Sequence, residues 1–263
     1  AKRIGSLPPE KSAPSVSVSR MSTSAALNGW PAGYQLIRHD EIDSTNCEAR
    51  RLAEAGKAGP VWIMARTQTA GRGRRGRAWL SAPGNLAATL LIRPARQPCG
   101  QLSFAAALAA ADVVEHFAPA APVTVKWPND VLAGDRKTAG ILLESAGDWL
   151  AVGVGINLAY HPEGTEFPAT SLAALGVAAP SPDQALAILA TRFAHWYNGW
   201  MSEGFEPLRA AWLARARGLG TPIRARLPHE EHDGVFAGLD SDGALLLNQH
   251  GRVRVITAGE VFF

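Results

Sequence analysis

A change of pattern near residue 218 constrains the fold of this chain more than any other feature. Before that point, apolar runs that predict β-strands are interleaved with helical segments. After it, only short alternating segments follow, over 223–227, 234–239, 244–248 and 252–256. We therefore predict an α+β protein in which a large mixed-sheet domain over 33–218 precedes a small SH3-like β-barrel over 219–263.

The elements of the large domain are predicted from apolar runs and from helix-capping residues. Strands are predicted over 61–65, 86–92, 123–127, 140–144 and 150–158. Helices are predicted from 45, from 102, from 182 and over 206–217. Thr45 and Glu48 have the spacing of a capping box, Gly56 favours a helix end, and Ser181 with Gln184 marks the third helix start.

The positive charge of the chain is concentrated in one segment. The formal net charge is +3, yet five arginines lie within a dozen residues that contain no acid: Arg66, Arg72, Arg74, Arg75 and Arg77. The remainder carries 21 basic residues against 23 acidic ones. This distribution suits the binding of one anionic ligand and counts against a broad nucleic-acid surface.

Cysteine content and hydropathy bear on the compartment. Cys47 and Cys99 lack the spacing of a metal or redox motif, so we expect a reducing compartment, the cytoplasm. No apolar stretch is long enough to span a membrane; the best candidate, 102–117, contains Asp112 and Glu115 and predicts a buried helix.

Residues 1–32 are rich in Ser and Pro and predict a flexible leader, with a vector remnant before Met21 or an organellar transit peptide as alternatives.

The segment from Gly71 to Arg77, here called the arginine loop, is the most informative motif. It satisfies Gly-x-Gly-x-x-Gly, but a dinucleotide site requires a helix to follow, and the next predicted element is a strand. A Walker loop is excluded because no Gly-Lys-Ser/Thr closes the segment. Its glycines permit close backbone approach, and its guanidinium groups suit carboxylate and phosphate oxygens. The segment alone leaves open a ligand-binding loop, a solvated basic loop and a nucleic-acid contact.

Three further segments carry candidate binding residues. In the segment 126–130, Lys126 near the end of a predicted strand suits a phosphate, and the side-chain oxygens of Asn129 and Asp130 suit Mg²⁺ or a ribose. A simple Pro-Asn-Asp turn explains the segment equally well. Lys137 precedes an apolar strand, so its ammonium can reach a buried anion. Gly153 and Gly155 lie inside a predicted strand, where glycine indicates either close approach of a flat ligand or a bulge.

Taken together, these segments resemble the biotin–protein ligase family. The matching stretches occur in the family's order, at 43–46, at Gln68 with 71–76, at 126–130, at 136–142 and at 153–157. The resemblance covers about residues 35–260 and includes the terminal SH3-like module. It implies a mixed-sheet catalytic domain of the class II synthetase-like, biotin–lipoate ligase type.

The resemblance implies a biotin site. Ser44, Thr45 and Gln68 would hydrogen-bond the ureido end of biotin, while Gly155 and Ile156 would wall its ring. Arg72 would hold the biotin carboxylate within a loop that orders on binding. The other residues assigned to this site by the resemblance are Asn46, Gly71, Gly73, Arg74, Lys137, Gly140 and Gly153.

The resemblance also implies an ATP site beside it. Lys137 and Arg72 would be the catalytic residues, with Lys137 bridging the biotin carboxylate and the α-phosphate. Asp130 would serve the Mg²⁺ ion. The residues assigned to ATP are Arg74, Arg75, Arg77, Trp79, Lys126, Asn129, Asp130, Lys137 and Asn157.

The implied activity is ATP-dependent formation of biotinyl-5′-AMP and transfer of biotin to a lysine of a biotin carboxyl carrier protein, such as that of acetyl-CoA carboxylase. We expect a monomer or homodimer that binds neither nucleic acid nor membrane. Thirty-odd leader residues are too few for the helix-turn-helix domain with which many bacterial relatives act as repressors. Two rival hypotheses are a lipoate or octanoate ligase and a nucleic-acid-binding protein that uses the arginine loop.

Overall fold

A computed structural model of the protein describes residues 16–17 and 30–263, and within them the predicted α+β class is confirmed. The larger sheet is mixed, and its strands are arranged in the order β1-β2-β3-β4-β8-β7-β6-β5. Among its paired strands only β2 and β3 run parallel. The eight strands are β1 Val16–Ser17, β2 Gln35–Ile42, β3 Val61–Gln68, β4 Leu86–Ile92, β5 Val123–Lys126, β6 Asp130–Ala133, β7 Arg136–Ala146 and β8 Trp149–Ile156.

Helices cover both faces of this sheet. Helix α1 (Thr45–Glu54) packs against β3, β4 and β8 on one face, and α2 (Leu102–Phe117) covers the other. Alternate side chains of each strand enter opposite layers, as strand geometry requires: Ile63 and Ala151 face α1, whereas Trp62 and Val152 face the α2 layer. Helix α3 (Pro182–Glu203) packs on α2, and α4 (Phe205–Leu213) follows it.

The last part of the chain forms a five-stranded antiparallel sheet, here called the C-terminal sheet, in the order β12-β11-β10-β9-β13. Its core is continuous with that of the larger sheet, and the indole Nε1 of Trp127 donates a hydrogen bond to the carbonyl of Gly243 at 3.1 Å. The four predicted strands are present, and a fifth that the sequence did not predict, β13, pairs with β9. The strands are β9 Pro222–Arg226, β10 Glu231–Leu239, β11 Leu245–Gln249, β12 Arg252–Ile256 and β13 Glu260–Phe262.

The helix starts confirm one capping prediction and overturn another. At α3, Ser181 and Gln184 form the predicted capping box. At α1 the predicted box of Thr45 and Glu48 is wrong, because Thr45 is already helical and its hydroxyl points to Gln68 at 3.1 Å. Gly56 ends this helix region as predicted, with φ +84°.

Two differences from the sequence predictions arise from contacts between distant segments. Helix α4 ends at Leu213 and not at the predicted Arg217, because the chain turns there and the amide of Arg217 donates to the carbonyl of Val125. Strand β2, which was not predicted, is held by its parallel pairing with β3. The predicted flexible leader, 1–32, lies largely outside the described residues. Within the described part of the chain, no helix has the length and apolar content needed to cross a membrane.

Candidate active site

A cavity of about 320 Å³ opens on the α1 face of the larger sheet, bounded by the arginine loop, the turn after β5 and strand β13. Most residues assigned to biotin or ATP line it, although they come from six separate stretches of the sequence. Those residues are Ser44, Thr45, Asn46, Gln68, Arg72, Gly73, Arg74, Trp79, Arg77, Lys126, Asn129, Asp130, Lys137, Gly140, Gly153, Gly155 and Asn157.

One end of the cavity is a polar recess built by the first turn of α1 and strand β4. The backbone amide of Thr45 donates to Gln68 Oε1 at 2.8 Å. The hydroxyl of Thr89 lies 2.8 Å from Thr45 Oγ1 and 2.6 Å from Asn46 Oδ1. Thr45, Asn46 and Thr89 are buried, and their polar atoms and those of Gln68 hold one another in place, so the recess presents an uncharged, fixed polar surface.

The glycines in strands β7 and β8 admit side chains from other segments. Gly140 and Gly155 are direct neighbours on the two strands, and the indole of Trp79 lies across them. A Cβ atom on Gly155 would overlap that indole, and one on Gly153 would overlap the amide of Asn46. The sequence predicts close approach of a flat ligand, or a bulge, at Gly153 and Gly155; the groups that approach them in the structure are the side chains of Asn46 and Trp79.

The arginine loop is tied to the site at two points near the recess. Arg72 places its Nη2 atom 3.0 Å from Cys47 Sγ and 3.3 Å from Glu144 Oε1. Arg74 donates to Asn129 Oδ1 at 3.2 Å, and Asn129 in turn donates to the carbonyl of Ile141 at 2.6 Å. The loop therefore lies over the cavity, with its first two arginines directed at the sheet.

The remaining loop arginines are bound by an acid of the C-terminal sheet. Glu260, in β13, contacts Arg77 at 2.6 Å, Arg75 at 3.3 Å and Arg226 at 2.6 Å. Burial raises the pKa of Glu260, but hydrogen bonds from Arg77 and Arg226 outweigh it and lower the pKa from 4.5 to about 2. Glu166 completes the cluster, 2.7 Å from Arg226 and 3.4 Å from Arg77. This end of the cavity, here called the cationic end, therefore contains three arginines and two carboxylate counter-ions.

Two lysines lie between the recess and the cationic end. Lys137 Nζ is 2.6 Å from Asp130 Oδ1 and 5.7 Å from the centre of the Trp79 ring. Lys126 Nζ lies 3.6 Å from the centre of the Phe167 ring, and burial lowers the pKa of Lys126 from 10.5 to about 8. An anionic ligand would meet both ammonium groups.

Three assigned residues are not among those lining the cavity. The side chain of Ile156 follows Gly155 in β8 and therefore points to the opposite face, where it is buried in the core, so this side chain does not line the cavity. Arg75 is exposed with φ +56° and contacts Glu260. Gly71 packs against the backbone of Trp79.

Several residues near the cavity were missed by the sequence analysis. Thr89 could have been suspected as the one polar residue inside the apolar run 86–92. Glu144, Glu166, Phe167 and Glu260 had no local signal, because their partners lie in distant segments. Asp130 and Asn129 bring side-chain oxygens to the cavity, and no cluster of three His, Cys, Asp or Glu side chains suited to a metal occurs in the described residues.

Comparison with known proteins agrees with this geometry. Residues 40–159 match the sequence profile of the Biotin/lipoate A/B protein ligase family, and residues 218–263 match that of the Biotin protein ligase C terminal domain. A biotin–[acetyl-CoA-carboxylase] ligase from Paracoccus denitrificans is 46% identical over 234 residues, which span 84% of this chain and 97% of the relative. The chain belongs to the biotin protein ligase family.

Further members of the family match over a similar length. A biotin–[acetyl-CoA-carboxylase] ligase from Mycobacterium tuberculosis is 37% identical over 248 residues, 90% of each chain. The solved structure of the biotin protein ligase from Aquifex aeolicus in complex with biotin and ATP superimposes with a TM-score of 0.76 at 29% identity, covering 86% of this chain and 97% of that one. The resemblance inferred from the sequence motifs and the biotin–lipoate ligase fold class are therefore confirmed.

Proposed function

We propose that this biotin ligase forms biotinyl-5′-AMP from biotin and ATP in the cavity described above and transfers the biotinyl group to a lysine of a biotin carboxyl carrier protein. One observation carries the assignment of sites: a neutral polar recess and a cationic end share one cavity, and Lys137 lies where they meet. Biotin combines a neutral ureido head with a carboxylate tail, so its two ends match the two regions in order. The names of the relatives support biotin and ATP as substrates.

In the first step, a biotin carboxylate oxygen attacks the α-phosphorus of ATP. A bond forms between this oxygen and the α-phosphorus. The bond from the α-phosphorus to the oxygen that bridges to the β-phosphorus breaks, and pyrophosphate leaves with the electron pair. No protein nucleophile is needed, so catalysis depends on position and on charge. Lys137 and Arg72 supply positive charge at the point where two anions must approach each other.

Mg²⁺ is proposed as the accompanying cation because the residues present fit it. Mg²⁺ in nucleotide sites is held by one or two carboxylates together with phosphate oxygens and water. Asp130 is buried beside Lys137 and lines the cavity, and Asn129 adds an amide oxygen. The ion would neutralise charge on the phosphates, while Asp130 holds it and also orients Lys137.

In the second step, the amine of a carrier lysine attacks the acyl carbon of the adenylate, an amide bond forms, a proton is lost from nitrogen, and AMP leaves. The relatives' names include acetyl-CoA carboxylase, which supports its carboxyl carrier domain as the acceptor. The arginine loop lies over the cavity and would protect the mixed anhydride from water until the carrier arrives.

The rival hypothesis of nucleic-acid binding is disfavoured by the pairing of the loop arginines. Arg72, Arg75 and Arg77 are each within 3.4 Å of a carboxylate, and the partner of Arg75 and Arg77, Glu260, lines the cavity. These three arginines are exposed, but each already has a carboxylate partner, which lowers the positive charge that they offer to a phosphate backbone. The lipoate hypothesis is disfavoured by relatives that are named as biotin ligases.

Pyrophosphate–ATP exchange by the purified protein with Mg²⁺ tests the proposal, comparing biotin, lipoate and no acid. We expect exchange that depends on biotin. Exchange with lipoate alone would support acid adenylation but show that the substrate is lipoate and not biotin. The absence of exchange from folded protein would reject the proposed chemistry. Incubation with a carrier domain and its Lys→Arg variant then tests the second step, since only the lysine form should gain the mass of biotin.

A further inference from the structure

The side chain of Glu144 links two parts of the recess that no motif connected. Its Oε2 atom accepts a hydrogen bond from Asn46 Nδ2 at 2.7 Å. Its Oε1 atom lies 3.3 Å from Arg72 Nη2. Glu144 lies on β7, opposite Ala151 of β8, and its side chain is 36% exposed; its partners Asn46 and Arg72 line the cavity, whereas Glu144 does not.

A carboxylate at this position fixes the orientation of Asn46. An ionised carboxylate only accepts hydrogen bonds, so Asn46 must present its NH₂ group to Glu144 and its carbonyl oxygen to the hydroxyl of Thr89, 2.6 Å away. The carbonyl of Leu142 lies 3.4 Å from the same NH₂ group and favours the same orientation. The polar atoms that Asn46 presents in the recess thus depend on an acid that lies outside the cavity lining.

The same carboxylate is a counter-ion of Arg72. Cys47 Sγ is the other partner of this guanidinium, and a thiol is a weak acceptor that carries no charge in its protonated form. An incoming carboxylate would therefore compete with Glu144 for Arg72.

We propose that Glu144 is a positioning residue of the biotin site: it orients Asn46 and holds Arg72 until the carboxylate of biotin replaces it on that arginine. The proposal rests on the proposed function, because it takes Arg72 as the group that receives the biotin carboxylate. Glu144 then weakens biotin binding through its contact with Arg72 and supports it through its contact with Asn46. The first effect requires the biotin carboxylate and the second does not.

Calorimetric titration with biotin and with biotin methyl ester separates them, because the ester lacks the charged carboxylate. In Glu144→Gln the amide oxygen still accepts from Asn46 but the charge is gone, so biotin should bind roughly two- to fivefold more tightly, the size expected for a part-exposed ion pair, while the ester is unchanged. In Glu144→Ala the orientation of Asn46 is also lost, so the ester should bind roughly three- to tenfold more weakly than to the wild-type protein.

Asp148→Asn is the matched control, since it removes one negative charge from a side chain that is 74% exposed and pairs with Arg93 away from the recess. It should change neither affinity. Equal changes in the affinity for biotin and for its ester in Glu144→Gln, or no change in either affinity, would overturn the role of Glu144. The proposed function would still stand in that case if the wild-type protein showed biotin-dependent exchange. If the folded wild-type protein bound neither ligand, both proposals would fall together.

Discussion

The ammonium of Lys137 lies 2.6 Å from the carboxylate of Asp130, at the junction of the polar recess and the cationic end of the cavity. Both side chains are largely buried, so the pair is only weakly screened by water. Asp130 therefore aims Lys137 and restrains it, and a ligand that binds between the recess and the cationic end meets a lysine whose position is already set.

Replacement of Lys137 by alanine should abolish most of the activity and also lower stability. We expect pyrophosphate exchange to fall by about 100-fold or more, since charge stabilisation at the reacting atoms is lost. The free energy of unfolding should fall by about 1–3 kcal/mol, because Asp130 loses its partner. The double variant Lys137→Ala/Asp130→Ala should recover stability but not activity. Lys57→Ala is the control, at a half-buried lysine whose ammonium donates a hydrogen bond to Gln35 Oε1. Near-normal exchange by folded Lys137→Ala would remove Lys137 from the mechanism.

The charge of Lys126 should make the use of ATP dependent on pH. Burial lowers the pKa of Lys126 to about 8, so its ammonium attracts phosphate below that pH and is lost above it. We expect kcat/KM for ATP, which reports the free enzyme, to fall as pH rises through about 8. In Lys126→Arg the charge persists and this decline should be absent. An identical decline in both proteins would show that another group causes it.

Gly155→Ala should damage the site through steric overlap. The new Cβ atom would overlap the indole of Trp79, so the indole or the strand must shift, at a cost of about 1–3 kcal/mol. We expect a rise in KM for biotin together with a lower unfolding midpoint. Gly199→Ala makes the same chemical change in helix α3, where a Cβ atom meets nothing within 4 Å, and should instead stabilise the protein by about 0.5–1 kcal/mol. A Gly155→Ala protein with wild-type affinity and stability would contradict the packing described here.

Glu260 should contribute to stability at acid pH. Its pKa in the folded protein is about 2, below its ordinary value of 4.5, so the unfolded chain takes up a proton first as the pH falls. The stabilisation is therefore complete above about pH 4.5 and is lost progressively down to about pH 2. Urea unfolding between pH 7 and pH 2 should show a smaller acid-induced loss in Glu260→Gln than in wild type. The exposed Glu163→Gln should behave as wild type, and equal losses in all three proteins would refute the role of the cluster.

Strands and helices that are marked by an apolar run or by capping residues could be predicted from the sequence. Strand β4 was predicted to the residue because every position in it is buried, and α3 because Ser181, Pro182 and Gln184 mark its start. Strand β2 was missed because its sequence includes Arg38, Asp40 and Glu41 and its strand conformation depends on pairing with β3. Strand β13 has three residues, too few for a periodic pattern.

The motifs of the site could be predicted from the sequence, but the ion pairs that connect them could not. Most residues of the resemblance line one cavity, whereas Gly71, Arg75 and Ile156 do not, and strand alternation explains the position of Ile156. Glu144 and Glu260 could not be predicted, because an acid acquires such a role only from arginines brought to it by the fold. Their contacts with Arg72 and Arg77 join residues remote in the chain, and single-sequence patterns carry no information about such pairs.

The contact between Glu260 and the arginine loop has a consequence for protein engineering. The C-terminal sheet supplies part of the wall of the cavity through Glu260 and Val261, so it is not an exchangeable cassette. A chimera that grafts this sheet from another ligase would need an acid at the position of Glu260 and an arginine at that of Arg226, in register with the recipient's loop. Without them the hybrid would be expected to fold around its shared core and yet leave the loop arginines without their counter-ions.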